Sequence, residues 1–166
     1  QHSGEHIVSG ILCGMFHCDN VGFHIGHDLV TIDFNAELTA DDVREVERRA
    51  NQYIWEDHPL GVDYPSPAAL EALEYRSKKA LTGQVRIVSW PGADCCACCG
   101  THVLRSGQVG MVKLLSCQRF REGVRIELAA GGRALERFEL VEGKNTKVSQ
   151  LLSAKAADTA AAVERV

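Results

Sequence analysis

No run in this 166-residue chain approaches the roughly 18–20 apolar residues that a membrane-spanning helix needs, which argues against a transmembrane helix. An excess of positive charge is also missing. Twenty-two acidic residues face 18 basic ones, a net charge of −4, which weighs against a large electrostatic footprint for nucleic acid but does not exclude a local basic patch. The opening residues lack signal-peptide character, because the first helical stretch is only partly apolar and already carries His and Glu. No internal repeat and no low-complexity linker interrupts the chain. Cysteine is plentiful, but an even, spaced disulfide framework is not. Seven cysteines occur, four of them crowded into Cys95, Cys96, Cys98 and Cys99. That pattern fits metal-binding or reactive thiols in a reducing compartment, and the expected location is cytoplasmic.

Two short segments stand out. Gln1-His2-Ser3-Gly4-Glu5-His6 puts two imidazoles four residues apart, on one face of a helix. Some ninety residues later, Cys98 and His102 repeat the spacing within Asp94-Cys95-Cys96-Ala97-Cys98-Cys99-Gly100-Thr101-His102. His2, His6, Cys98 and His102 together make a four-donor zinc set, since Zn2+ takes imidazole nitrogen and thiolate sulfur tetrahedrally. The fold must bring the two segments together.

Residues 2–17 read as a helix with Ile7, Ile11, Leu12 and Met15 on its core side. Phe23 and Ile25, then Val30, Ile32 and Phe34, alternate as two strands around a Gly26-His27-Asp28 turn, and Gly22 suggests a bulge. Thr39 with Asp42 is a capping box for an amphipathic helix to about Glu56. A short strand is expected over residues 60–64, then a short helix from Ser66-Pro67 with Ala69, Leu70 and Leu73 as its apolar side. Arg76, Lys78 and Lys79 form a basic cluster read chiefly as a solvated loop. Strands follow over residues 85–90, 111–117 and 123–129, with Cys95–Cys99 read as a loop. Gly131-Gly132 ends this part, and residues 133–138 are expected to form a short helix. Residues 145–166 contain no Gly, Pro or aromatic and keep a narrow apolar helical repeat, suited to pairing with a second copy. A metal donor at position 2 with no preceding cap, and an uncapped last helix, suggest a piece of a longer protein.

The donor set alone leaves the chemistry open. A closed site can be structural, whereas a site that admits water can generate hydroxide near neutral pH. An iron–sulfur centre is disfavoured by the tight cysteine spacing. His2-Ser3-Gly4-Glu5-His6 also fits the H-x-x-E-H pattern of zinc peptidases, with Glu5 as general base.

The motifs His2-Ser3-Gly4-Glu5-His6, Asn20-Val21-Gly22-Phe23, Val30-Thr31-Ile32-Asp33-Phe34, Ala50-Asn51, Cys98-Cys99-Gly100-Thr101-His102-Val103 and Val124-Arg125-Ile126-Glu127 occur in this order. Together they resemble the editing domain of alanyl-tRNA synthetases and the free-standing AlaX-type editing proteins. The resemblance covers roughly residues 1–140. It implies an α+β fold, an antiparallel sheet with helices packed on it, like the second domain of threonyl-tRNA synthetases. It implies zinc held by His2, His6, Cys98 and His102. The implied activity is hydrolysis of serine or glycine from the acceptor end of tRNA(Ala). By position, Asn20 and Gly22 would line the aminoacyl pocket, Thr31 is a further pocket candidate, and Asn20 or Thr31 would meet the serine hydroxyl. Arg125 and Glu127 would lie near the pocket or the tRNA end. Two departures stand out: Cys99 replaces a glycine, which leaves open which thiol binds metal, and Glu5 stands where the family often has Gln. Residues 141–166 would begin a helical stalk or a homodimerisation segment. Competing readings are a non-catalytic tRNA-binding or oligomerisation module with structural zinc, and a zinc ester or peptide hydrolase using Glu5.

Overall fold

A computed structural model describes residues 1–77 and 83–165, so Lys78, Lys79 and Val166 lie outside the described residues. The chain forms two units, Gln1–Gly131 and Gly132–Val166.

The first unit begins with α1 (His2–Phe16), which stops where His17 turns left-handed at φ 50°. The alternating residues that follow form β1 (Asn20–Ile25) and β2 (Val30–Phe34), paired antiparallel. Thr39 accepts from the Asp42 amide while Asp42 accepts from Thr39, and this capping box opens α2 (Ala40–Trp55). Short β3 (Gly61–Asp63) and α3 (Pro67–Glu71) come next, the latter capped by Ser66. β4 (Ile87–Trp90) and β5 (Asp94–Ala97) are joined by a tight turn, and β6 (Val112–Phe120) and β7 (Gly123–Ala130) complete the unit.

Two antiparallel sheets result, ordered β1-β2-β7-β6 and β3-β4-β5. Helices α1 and α2 cover one face of the larger sheet. Ile7, Val8 and Leu12 of α1 and Val46, Ala50 and Ile54 of α2 are buried against Ile32, Phe34, Ile126, Leu128 and Val112. This is an α+β fold of antiparallel sheet and packed helices. At the open edge of β6, Asn51 donates to Val112 O and accepts from Val112 N, both at 2.9 Å. One helical turn earlier, Glu47 accepts from Leu114 N at 2.6 Å. Helix α2 therefore occupies hydrogen-bonding positions that an edge strand leaves open.

Three local expectations need correction. Residues 94–97 are a strand rather than a loop, because their backbone pairs with β4. The apolar side expected for α3 is not buried; Ala69 and Leu73 are exposed. The second unit is not a short helix followed by a long one. A single helix, α4, runs Gly132–Leu151 through Gly143, whose cost of about 1 kcal/mol the helix tolerates. The chain then turns through Ser153 at φ 49° into a short 3-10 turn and α5 (Thr159–Val163). Asn145 fixes the return, donating to Ala156 O and accepting from Thr159 Oγ1, each at 2.9 Å.

Candidate metal centre and adjoining cavity

Helical spacing carries His2 and His6 on the first turns of α1. Strand β5 delivers Cys98, and the loop after it delivers His102. Arg86 shapes that loop by donating to Cys98 O at 2.8 Å and Gly100 O at 2.9 Å. Ser3 ties it to α1, accepting from Val103 N at 3.1 Å. The four donor atoms of His2, His6, Cys98 and His102 all fall within 4.8 Å of one another. Cys98 Sγ lies 3.6 Å from His2 Nε2 and 3.5 Å from His102 Nε2.

Each imidazole is held from behind. His2 Nδ1 lies 3.2 Å from Thr101 O, His6 Nδ1 2.9 Å from Asp94 Oδ2, and His102 Nδ1 3.1 Å from Ser3 Oγ. A carbonyl and a carboxylate only accept, so His2 and His6 each carry a proton on Nδ1 and turn Nε2 toward the other donors, where a metal would displace any second proton. Outer partners of this kind accompany metal-bound histidines. The donor chemistry fits zinc on a second count. Cys98 supplies a thiolate sulfur and the three histidines supply imidazole nitrogens, the donor types that Zn2+ takes in four-coordinate sites.

Burial alone would push the Cys98 thiol up. Hydrogen bonds from His102, His2 and His6 and from the Gly100 amide outweigh it and bring Cys98 to about 3, a thiolate at neutral pH. For His6, burial lowers the pKa but the Asp94 hydrogen bond and Cys98 outweigh it, raising it to about 9. His102 is lowered, chiefly by burial.

Cys98, not Cys99, is the clustered thiol. Cys99 is exposed and falls outside the donor group. Gly100 is the position that must stay small, since a Cβ there would come within 2.2 Å of His2 Cε1. His6, Asp94 and Cys96 also come within 4.8 Å, but both Asp94 oxygens are already engaged by Arg76 at 2.7 and 2.9 Å. Arg76 is thus neither a solvated loop residue nor free for phosphate.

A cavity of about 260 Å³ opens beside the donors, lined by His2, His6, Cys98, Glu5, Phe23, Arg76, Cys96 and Cys99. A larger hollow of about 540 Å³ lies between α1 and α2 and contains none of the four donors. Glu5 is 2% exposed. Its Oε1 accepts from Ser9 Oγ at 2.8 Å and Asn20 Nδ2 at 2.9 Å, while Oε2 stands 3.9 Å from His6 Nε2.

The polar groups expected to meet a serine hydroxyl are placed otherwise. A bulge between Asn20 and Gly22 puts Asn20 and Phe23 opposite Phe34 and Ile32, on the face of β2 that packs against α1. Asn20 then donates to both Glu5 and Ser9 and accepts from Gly22 N at 3.2 Å, which occupies its amide. Thr31 alternates with buried Val30 and Ile32, so it lies on the other face of β2, across from Glu127. The structure does not bring Thr31 to the donors. Arg125 shares that outer face, paired with Asp33 at 2.6 and 2.8 Å, and Glu127 accepts from Ser116 there. In the sequence, Asp94, Ser3 and Ser9 show no role of their own and Arg76 reads only as part of a basic cluster, although Ser9 one turn after Glu5 is a readable signal.

The structure is an α+β domain of antiparallel sheet and packed helices, and its residues 85–127 match the family model of the threonyl and alanyl tRNA synthetase second additional domain. The chain is a relative of alanyl-tRNA editing proteins and alanine–tRNA ligases. It is 30% identical over 143 residues to alanyl-tRNA editing protein AlaX-L of Pyrococcus horikoshii, covering 83% of this chain and 35% of that protein. It is 26% identical to alanyl-tRNA editing protein Aarsd1 of Rattus norvegicus, over 100% of this chain and 42% of that protein. It is 30% identical to an alanine–tRNA ligase of Halorubrum lacusprofundi, over 99% of this chain and 19% of the ligase. The chain therefore spans less than half the length of these relatives.

Proposed function

We infer that this chain is the editing module of a zinc-dependent hydrolase that removes serine or glycine from mischarged tRNA(Ala). The observation that carries the reading is the four-donor cluster opening onto a cavity with Glu5 in its wall. The names of the relatives supply the substrate class. The reaction is needed because an alanine-sized synthetic site cannot reject glycine or serine strongly by binding alone, so a second, hydrolytic site does so.

His2, His6, Cys98 and His102 would hold the zinc, which when bound supplies Lewis acidity and a lowered pKa for water. Ser9 and Asn20 fix Glu5 through Oε1, and its Oε2, 3.9 Å from His6 Nε2, would take a proton from water beside the ester. His6 is oriented by Asp94, and His2 by the Thr101 carbonyl. At about 260 Å³ the cavity suits an aminoacyl group, lying just below the roughly 300–1,000 Å³ of typical small-molecule sites. The proposal includes residues 1–140 as the editing domain and a cytoplasmic location with the tRNA. It also includes pairing of two copies through the helical segment, supported by exposed Leu135, Phe138, Val141 and Val148 along α4.

Deacylation of Ser-, Gly- and Ala-tRNA(Ala) by the purified chain tests the reading. Serine and glycine should be released at least tenfold faster than alanine. Equal release of all three would end the editing assignment, and zinc-dependent cleavage of peptides in place of esters would favour the peptidase reading of Glu5.

A further inference from the structure

Asp94 and Arg76 lie outside the four donors, yet they form a largely enclosed ion pair. Asp94 is 7% exposed and makes three hydrogen bonds: Arg76 Nε at 2.7 Å on Oδ1, with Arg76 Nη2 and His6 Nδ1, both at 2.9 Å, on Oδ2. The backbone fixes Arg76 as firmly. Arg76 N donates to Cys95 O at 2.8 Å and Ala97 N donates to Arg76 O at 2.9 Å, so residue 76 is stitched to the strand that carries Asp94 and leads into Cys98. On the other side, Gly10 lets α1 approach this strand. A Cβ on Gly10 would stand 2.3 Å from Ala93 O and 2.4 Å from Asp94 Cβ. Three segments distant in sequence thus converge on one imidazole nitrogen.

We propose that Arg76 and Asp94 are a positioning pair that sets the metal affinity of the site through His6. The proposal rests on the reading that the four donors hold zinc. Asp94 accepts the Nδ1–H of His6, which fixes the ring plane, leaves the Nε2 lone pair turned to the other donors and makes His6 a stronger ligand. A buried carboxylate is costly to keep ionised without a partner, and the guanidinium fork answers that cost. Arg76 thereby holds the Asp94 carboxylate in the orientation that accepts His6 Nδ1–H. It does so without entering the donor group.

The test is zinc competition with a chromophoric chelator at neutral pH on the full chain and its variants. It is paired with 15N imidazole spectra of the zinc-loaded protein. Asp94→Asn should weaken zinc binding by about 10–100-fold. Arg76→Gln, a change at a partly exposed side chain that leaves the backbone stitching in place, should weaken it in the same direction. The wild-type spectrum should show His6 protonated at Nδ1 and metal-bound through Nε2, with a slowly exchanging Nδ1 proton that exchanges faster in both variants. Unchanged affinity in both variants, or a His6 bound through Nδ1, overturns the pairing. If the wild-type chain takes up no zinc, the metal reading itself falls, and this pairing with it.

Discussion

Two glycines one turn apart on α1 should respond oppositely to the same substitution. At Gly14 an added Cβ meets no atom within 4 Å, so Gly14→Ala gains only helix propensity. Near the helix end that gain is about 0.5–1 kcal/mol. At Gly10 the Cβ would meet Ala93 O at 2.3 Å, Asp94 Cβ at 2.4 Å and Asp94 Cα at 2.8 Å, all backbone or backbone-proximal atoms that cannot swing aside. Overpacking of this kind costs about 1–3 kcal/mol, and such short contacts belong at the upper end. After the propensity gain, Gly10→Ala should be destabilised by about 2 kcal/mol. At about 4 °C per kcal/mol, Gly10→Ala should melt about 8 °C below wild type and Gly14→Ala about 2–4 °C above it. Thermal and urea denaturation of the metal-free chain, followed by circular dichroism, reads both. Because the Gly10 clash falls on Asp94, zinc binding should weaken in Gly10→Ala and stay unchanged in Gly14→Ala. Two variants with the same sign of stability change and equal zinc affinity would show that α1 and β5 do not meet as described.

Replacing Asn51 with Leu keeps the volume but orphans Val112 N–H and C=O, at about 1–3 kcal/mol each. Chemical denaturation should show a loss of about 2–5 kcal/mol, and a loss below about 0.5 kcal/mol would contradict the clamp. In the metal-free chain, Cys98 has a pKa of about 3 because the three histidines and Gly100 N outweigh burial. It is the thiolate above that pH, so its alkylation rate, read by mass spectrometry, should be flat between pH 5 and 8. A rate rising about tenfold per pH unit across that window would contradict the thiolate cluster. Since Thr31 faces away from the donors, Thr31→Val should leave the serine-over-alanine selectivity within twofold of wild type. A tenfold change in deacylation selectivity would place Thr31 in the pocket after all.

The elements most legible in sequence were those whose cause is local. The i, i+4 histidines, the Thr39–Asp42 box and the strand alternation of residues 30–34 each depend on neighbours within a few positions. The Gly22 bulge was also readable, but its consequence was not. Shifting Asn20 to the α1 side joins it to Glu5 and Ser9, and only the packed helix supplies those partners. The role of Asp94, and with it the pairing that takes Arg76 out of the basic cluster, is hidden for the same reason, because a carboxylate 88 positions from His6 has no periodic signal. Strand β5 is hard to read because Asp94 and Ala97 at its ends carry little strand character, and pairing with β4 is what makes the segment extended. In the second unit, the break after Leu151 depends on Asn145 gripping Ala156 and Thr159, a contact invisible in the alanine-rich pattern.

The most direct test removes the metal and restores it. The chain should be stripped with a chelator, assayed on Ser-tRNA(Ala), and assayed again after one equivalent of zinc. The same cycle should be run on Cys98→Ser and Glu5→Gln. Activity should vanish on stripping and return with one zinc in the wild type, and should not return in Cys98→Ser. Glu5→Gln should bind zinc normally yet lose about 10²–10⁴-fold in rate. Full deacylation by the stripped protein would contradict the account at its centre.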